Sequence, residues 1–283
     1  MPGKSYAGPL PPLSGEDRAL SLRLRLHVAA LAASERNADL ETPARYIEHA
    51  LKDFSTQEFR SGGRKVRNIE TGSGDIVVGA HYDTVPGSPG ADDNASGVAV
   101  LLELAAMKIP ARFVAFANEE APYFYGPEMG SWVWAKRARD RRDEIPAMFS
   151  LEMLGYYRDA PGSQQYPAPL GLFYPDRGDF VAFVSDLGAR QLVRRSIQSF
   201  RRNAQFPSEG LAAPAFIPGV TWSDHWSFRR HGYAAIMITD TAFYRYPHYH
   251  APSDTPDRLD YERMARVTLG LAAMLKELAD ETR

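Results

Sequence analysis

The sequence predicts an α/β fold in which helices cover both faces of a mostly parallel central sheet. Three observations support it: apolar runs of strand length recur, helical patterns separate them, and polar side chains gather where those runs end. Strands that are buried on both faces form continuous apolar runs, which is typical of parallel sheets. We therefore expect a three-layer sandwich around one mixed, mostly parallel sheet.

The chain is expected to form one domain preceded by a tail. Its 283 residues are near the upper size for a single hydrophobic core, and no linker or internal repeat divides them. Residues 1–16 are rich in Pro and Gly and predict the tail, which leaves residues 17–283 as the domain.

The elements are predicted from apolar periodicity and from capping residues. The first helix places Leu24, Val28 and Leu31 on one face, and Pro43 opens the second because proline is tolerated in the first helical turn. Helices are expected at 20–33, from 42 onward, and at 98–107, 180–200 and 260–278. Strands are expected at 65–71, 75–83, 112–120, 147–154 and 233–240.

Composition excludes several classes of protein and of site. The net charge is −2 and no basic tract stands out, so nucleic acid is not an expected partner. Cysteine is absent, which leaves His, Asp and Glu as metal ligands. The sequence has neither the apolar segment of a signal peptide nor a membrane-spanning run, so we expect a soluble cytoplasmic enzyme without a membrane partner.

Polar side chains fall at the predicted carboxyl ends of strands, where open α/β sheets bind their ligands. The residues at these ends and in the flanking loops are His81, Asp83, Glu119, Glu120, Glu152, Asp224, His225 and His250. Most have an ordinary structural explanation when taken singly: Glu119-Glu120 could be a solvated loop, and Asp92-Asp93-Asn94 could cap the next helix. Glu152 is different because it interrupts an apolar strand, and a buried carboxylate needs a positive partner.

A bound metal explains these acids most simply, because no Lys or Arg is close to them in sequence. Asp92, Glu120 and Glu152 supply three negative charges, while His81 and His250 are neutral donors. One hydroxide would complete the balance for two divalent ions. Mixed His and carboxylate ligands suit zinc, with cobalt or manganese possible.

Five motifs occur in the same order as in the dinuclear zinc aminopeptidases. They are "HYDTVPGSPGADDNASG", "FANEE", "SLEMLGYY", "SDHWSF" and "YPHYHAPSDTPDRLD", and the resemblance runs from about Leu24 to the C-terminus. The chain thus resembles a superfamily that also includes glutamate carboxypeptidase-type enzymes and glutaminyl cyclases. This resemblance implies the zinc-exopeptidase type of sandwich.

The resemblance also implies roles for single residues. His81 and Glu152 correspond to the ligands of one zinc, Glu120 and His250 to those of the other, and Asp92 to the shared ligand. Glu119 matches the general base, Asp83 the carboxylate that orients the histidine ligand, and Tyr249 a tyrosine that polarises the scissile carbonyl. Asp224 and His225 match a motif near the substrate pocket. Glu152 departs from the family pattern, since many members have Asp there and the longer arm could loosen the metal.

The function implied by the resemblance is aminopeptidase activity on a peptide with a free N-terminus, by way of a water between the two ions. Tyr123 to Tyr125 and Trp226 suggest an apolar side-chain pocket. A carboxypeptidase would instead need a cation such as Arg177 to bind the substrate carboxylate. The same scaffold could also serve a glutaminyl cyclase with one zinc or a non-catalytic interaction domain, and the oligomeric state is left open.

Overall fold

The computed structural model describes residues 1–281 and contains an eight-stranded mixed sheet in the order β1-β2-β4-β3-β5-β8-β6-β7. The strands are β1 (Ser55–Ser61), β2 (Arg64–Gly72), β3 (Ile76–His81), β4 (Ala111–Phe116), β5 (Met148–Glu152), β6 (Val181–Asp186), β7 (Ser208–Ala213) and β8 (Ala235–Thr239). The central run β4-β3-β5-β8 is parallel. On its two sides β2 and β6 are antiparallel to it.

Seven α-helices surround this sheet. They are α1 (Gly15–Leu31), α2 (Glu41–Leu51), α3 (Gly97–Ala106), α4 (Gly130–Arg141), α5 (Arg190–Asn203), α6 (His225–Arg230) and α7 (Tyr261–Asp280). Helices α1, α2, α3, α5 and α7 pack on one face, and α4 and α6 pack on the other. The predicted three-layer α/β sandwich is confirmed.

The central strands are buried on both faces, as their continuous apolar runs predict. Successive side chains of a strand point to opposite faces. In β3, Val78 and Ala80 accordingly join the larger core under α1, α3 and α7. Val77 joins a second cluster with Trp134 of α4 and Phe228 of α6. On that second face, the strands β6, β7 and β8 and the residue before β6, Phe180, contribute a third apolar cluster that includes Ala182, Val184 and Met237.

The predicted helix at 180–200 is wrong in its first part. Residues Val181–Asp186 form β6, and the helix α5 begins only at Arg190. Val181 and Phe183 enter the main core while Ala182 and Val184 enter the third cluster, so both faces of β6 are buried. A run that is apolar on both faces resembles a buried helix, and periodicity alone does not separate the two.

The N-terminal segment is packed against the body of the protein. Ser14 caps α1 in a capping box with Asp17, so that helix begins slightly before the predicted boundary. Arg201 donates hydrogen bonds to the carbonyls of Pro2 and Gly3, and the Ser208 amide donates to Ser5 Oγ. None of the described helices combines the length and the apolarity required to cross a bilayer.

Candidate metal centre and active site

The candidate site lies where the carboxyl ends of three neighbouring parallel strands meet. His81 is the last residue of β3 and Glu152 the last of β5, and Glu119 and Glu120 follow β4 within a few residues. His250 comes from the loop after β8. The topology therefore brings together four of the residues expected to bind metal: His81, Glu120, Glu152 and His250.

Two histidines face opposite oxygens of a single carboxylate, that of Asp93. His81 Nε2 lies 3.4 Å from Asp93 Oδ1 and 3.4 Å from Glu152 Oε1. His250 Nε2 lies 3.0 Å from Asp93 Oδ2 and 3.4 Å from Glu120 Oε1. Asp93 is thus placed between two similar pairs, each with one histidine and one glutamate.

The expectation that Asp92 is the shared residue is therefore wrong in position. Asp92 Oδ1 accepts a hydrogen bond from the Gly155 amide at 2.8 Å, and its side chain is fully buried away from the histidines. Asp92 and Asp93 both lie in the irregular turn Ala91–Ser96, in which their side chains point in different directions. Asp254 fixes this turn, because its two oxygens accept the amides of Asp92 at 2.8 Å and of Asp93 at 3.1 Å.

The pKa values of His81 and His250 reflect the negative charge of the carboxylates around them. Burial alone would lower the pKa of His81, but Glu152 and Glu119 outweigh burial and raise it well above its usual range. Burial opposes the same shift at His250, where hydrogen bonds to Asp93 and Glu120 raise the pKa to about 10. Both rings are therefore held in an electrostatic field that favours an added positive charge.

The pKa values of the two adjacent glutamates, Glu119 and Glu120, are raised as well. Burial and then repulsion from Asp93 raise the pKa of Glu120 to about 7. Burial is also the main cause that raises the pKa of Glu119 well above its usual range, and neighbouring Glu120 and Glu152 add to it. Carboxylates with raised pKa values beside histidines with raised pKa values indicate a site that lacks positive charge.

The donor atoms at this site fit a divalent metal. Within residues 1–281, the ion pairs of Asp93, Glu120 and Glu152 are formed with His81 and His250, and none is formed with Lys or Arg. The buried arginine nearby, Arg36, donates instead to the carbonyls of Leu31, Tyr82, Pro89 and Gly90. Imidazole nitrogens and carboxylate oxygens converge within 4.8 Å of one another at His81, Asp93 and Glu120. Such a mixed donor set is one that zinc binds.

Asp83 organises the turn that carries both glutamates. Its Oδ1 accepts the Glu119 amide and its Oδ2 the Glu120 amide, each at 3.0 Å. The same carboxylate lies 3.4 Å from His81 Nδ1. Glu119 Oε2 is 4.0 Å from His81 Nε2, so this side chain reaches the edge of the cluster while Glu120 reaches His250. The turn thus allows two adjacent glutamates to occupy different places in one site.

Two serines support Glu152, and no sequence pattern indicated them. Ser223 Oγ donates to Glu152 Oε2 at 2.7 Å, and Ser150 Oγ lies 2.6 Å from Ser223 Oγ. Ser223 is adjacent to the Asp224-His225 motif, but serine is too common in loops for its position to be informative. The hydrogen bond restrains the longer arm that glutamate has in place of aspartate.

A cavity of about 420 Å³ opens from the site. Asp93, Glu119, Glu120, Glu152 and His250 lie at one end of it. Tyr249 also lines it and stacks on the His250 ring, with ring centroids 3.8 Å apart. The remaining wall is mostly apolar and is formed by β6, β7, β8 and their connecting loops.

Three residues expected to contact substrate do not line this cavity. Asp224 and His225 are fully buried at the start of α6, and burial is the main cause that raises the pKa of Asp224 to about 7 and lowers that of His225 to about 4. Arg177 is exposed on a loop and donates to the Asp159 carbonyl at 3.1 Å. None of these three side chains therefore lies at the cavity surface.

The family model of peptidase family M28 matches residues 66–275. The chain belongs to peptidase family M28. The expected enzyme class, a peptidase among the hydrolases, is thereby confirmed.

Two curated proteins illustrate the relationship of this M28 peptidase to its family. It is 41% identical to the uncharacterised protein YfbL of Escherichia coli, covering 85% of this chain and 82% of that protein. It is 28% identical to leucine aminopeptidase 1 of Ajellomyces capsulatus, covering 69% of this chain and 51% of that one. The chain therefore spans about half the length of that leucine aminopeptidase.

Solved structures share the fold of this M28 peptidase. LapA of Legionella pneumophila has a TM-score of 0.72 at 21% identity, covering 99% of this chain and 79% of LapA. A zinc aminopeptidase of Bacillus subtilis has a TM-score of 0.56 at 25% identity, covering 77% and 51%. Glutaminyl cyclase of Porphyromonas gingivalis has a TM-score of 0.66 at 18% identity, covering 91% and 98%. The M28 match confirms the predicted resemblance to the zinc aminopeptidases, and the likenesses to LapA and to glutaminyl cyclase show that the fold is shared.

The aromatic residues expected around the pocket of this M28 peptidase are only partly there. Phe124 lines the cavity, whereas Tyr125 and Trp226 pack on each other beside it with ring centroids 4.6 Å apart. Trp222, which precedes Asp224-His225 in sequence, does line the cavity. Most of the apolar lining residues lie in the loops that flank the strands, and β6, β7 and β8 supply the rest.

Proposed function

We propose that this M28 peptidase is an aminopeptidase that holds two divalent ions, most simply zinc. The observation that supports the proposal most strongly is the place of Asp93, whose two oxygens face His81 and His250, each of which also lies near one glutamate. In this proposal His81, Asp93 and Glu152 bind one ion, and Glu120, Asp93 and His250 bind the other. The zinc-aminopeptidase relatives support zinc as the metal, while the number of ions is our proposal.

Bound metal would lower the pKa of a water molecule and polarise the peptide carbonyl. Glu119 is the proposed general base, because its carboxylate lies at the edge of the cluster and, unlike Glu120, is not paired with His250. The buried environment that raises its pKa also suits it to return the proton to the leaving amine. Tyr249 is proposed to donate a hydrogen bond to the carbonyl oxygen from the cavity wall.

Cavity charge favours the amino end of a peptide as the substrate group that binds here. A carboxypeptidase needs a cation that faces the substrate carboxylate, and no Lys or Arg lines the cavity in the part of the chain that the structure describes. Glu119 and Glu152 offer carboxylates beside the site, which would pair with an α-ammonium group. We therefore propose a peptide with a free N-terminus as the substrate.

The test is a matched pair of dipeptides supplied to zinc-loaded protein, one acetylated at its amino end and one amidated at its carboxyl end. Acetylation removes the ammonium and should abolish cleavage, whereas amidation should be tolerated; release of the N-terminal residue is the measurement. Cleavage of only the acetylated peptide would indicate a carboxypeptidase. Ring closure of an N-terminal glutamine without peptide cleavage would indicate a glutaminyl cyclase.

A further inference from the structure

One row of paired residues crosses the sheet beneath the cavity. Glu152 of β5 pairs with Thr239 of β8, Thr239 with Ala182 of β6, and Ala182 with Glu209 of β7. Directly paired residues of neighbouring strands point to the same face of a sheet, and all four of these residues line the cavity. Three strand spacings separate the ends of the row, so the backbones of Glu152 and Glu209 are roughly 14 Å apart.

The two ends of this row carry the acids, and the space between them is apolar. Five carboxylates line the cavity within residues 1–281, of which four belong to the candidate metal centre and the fifth is Glu209. Ala182, Val184, Leu211 and Met237 form the floor around the row. A carboxylate at the far end of an apolar cavity is costly unless a cation meets it.

The Glu209 carboxylate can accept a further hydrogen bond from such a cation, beyond those from its partners in the protein. Arg201 Nη2 donates one long hydrogen bond of 3.5 Å to Glu209 Oε2, whereas its hydrogen bonds to backbone carbonyls go to Pro2, Gly3 and Ser208. Ser5 provides Glu209 with one further hydrogen bond. The Glu209 side chain remains 22% exposed, and Glu209 lines the cavity.

Two tyrosine rings line the same cavity and enlarge the surface available to a cation. Tyr166 and Tyr174 stack with ring centroids 5.7 Å apart. Their hydroxyls are turned to the protein, donating to the carbonyls of Pro175 and Gly210 respectively. The ring of Tyr174 is thereby tied to the residue next to Glu209, and aromatic faces attract ammonium and guanidinium groups.

We infer that Glu209 is a specificity-determining residue that selects a basic residue, Lys or Arg, at the N-terminus of the substrate. The inference rests on the proposed aminopeptidase function. With the scissile bond at the candidate metal centre, the first side chain would extend along the apolar floor toward Glu209. An extended lysine or arginine side chain reaches about 6–7 Å from its Cα, and the Glu209 side chain covers part of the remaining distance. A basic N-terminal residue with a long aliphatic chain is a narrower substrate class than the apolar side chains that the sequence suggests.

The experiment compares the p-nitroanilides of lysine and norleucine, whose side chains share the same four-carbon chain and differ by the terminal ammonium. We expect wild-type protein to prefer lysine by about 10- to 100-fold in kcat/KM. Glu209→Gln should remove most of that preference, mainly through a higher KM for lysine, while norleucine turnover stays within about twofold. Glu262→Gln is the control, since Glu262 is exposed at the start of α7 and does not line the cavity.

Each outcome separates the inference from the proposed function. Norleucine turnover without a preference for lysine in wild-type protein would overturn the role of Glu209 and leave the aminopeptidase proposal standing. A lysine preference that survives in Glu209→Gln would also overturn it. Absence of turnover on both substrates, and on alanyl and leucyl p-nitroanilides, would overturn the proposed function and this inference with it. If Glu209→Gln does not fold, Glu209→Asp serves instead, with a reduced preference for lysine expected.

Discussion

The two ends of the cavity differ in chemistry, since one is lined by clustered polar side chains and the other mainly by apolar ones. At the metal-centre end, Asp93 and Glu120 meet His250 through side-chain contacts of 3.0 and 3.4 Å. At the Glu209 end, apolar side chains of β6 and β7 form the wall, and a single carboxylate interrupts them. The first end has the donors that hydrolysis requires, whereas the second has the shape and charge that can select a side chain.

The difference extends to how each end is held in place. Asp83 and Asp254 accept backbone amides at the metal-centre end and thereby fix the turns that carry Glu119, Glu120 and Asp93. At the other end, van der Waals packing of Ala182 and Val184 defines the surface. We therefore expect substitutions at the first end to change catalysis and substitutions at the second to change substrate preference.

The largest effect is expected at Glu119. Glu119→Gln keeps the shape of the side chain but removes the proton acceptor, so kcat should fall by about 100- to 10,000-fold. Metal content, measured by mass spectrometry, should be unchanged because Glu120 is the glutamate paired with His250. Glu120→Gln is the matched control and should lose metal; the opposite pattern would mean that the two glutamates have exchanged roles.

A smaller effect is expected on the floor of the pocket. Ala182 lies in the middle of the row between Glu152 and Glu209, and Ala182→Leu would fill the space that a long side chain needs. We expect kcat/KM for lysyl and norleucyl p-nitroanilides to fall about 10-fold, while alanyl p-nitroanilide, whose side chain is a single methyl, is little affected. An equal fall for all three substrates would indicate that Ala182 supports the metal centre and not the pocket.

The metal-centre end of the cavity could be predicted from the sequence to a greater extent than the Glu209 end. His81 and Glu152 stand out because they end or interrupt apolar strands, and the fold that brings them together was also predictable from those strands. The choice between Asp92 and Asp93 was not predictable from spacing, because it depends on Asp254, which lies about 160 residues later and fixes the turn. The sequence suggests an apolar pocket but not that β6 and β7 line it, because β6 resembles a helix and β7, with its Ser-Glu-Gly start, lacks an apolar run.

The central claim is that Asp93 joins two metal sites, and metal content tests it most directly. Wild-type protein purified without chelator and then dialysed against zinc should hold close to two ions per chain. Asp93→Asn should lose metal, since the amide replaces a charged oxygen that faces a histidine. Asp92→Asn should keep both ions, because its carbonyl oxygen can still accept the Gly155 amide. Loss of metal in Asp92→Asn with full retention in Asp93→Asn, or a ceiling of one ion in the wild type, would contradict the account.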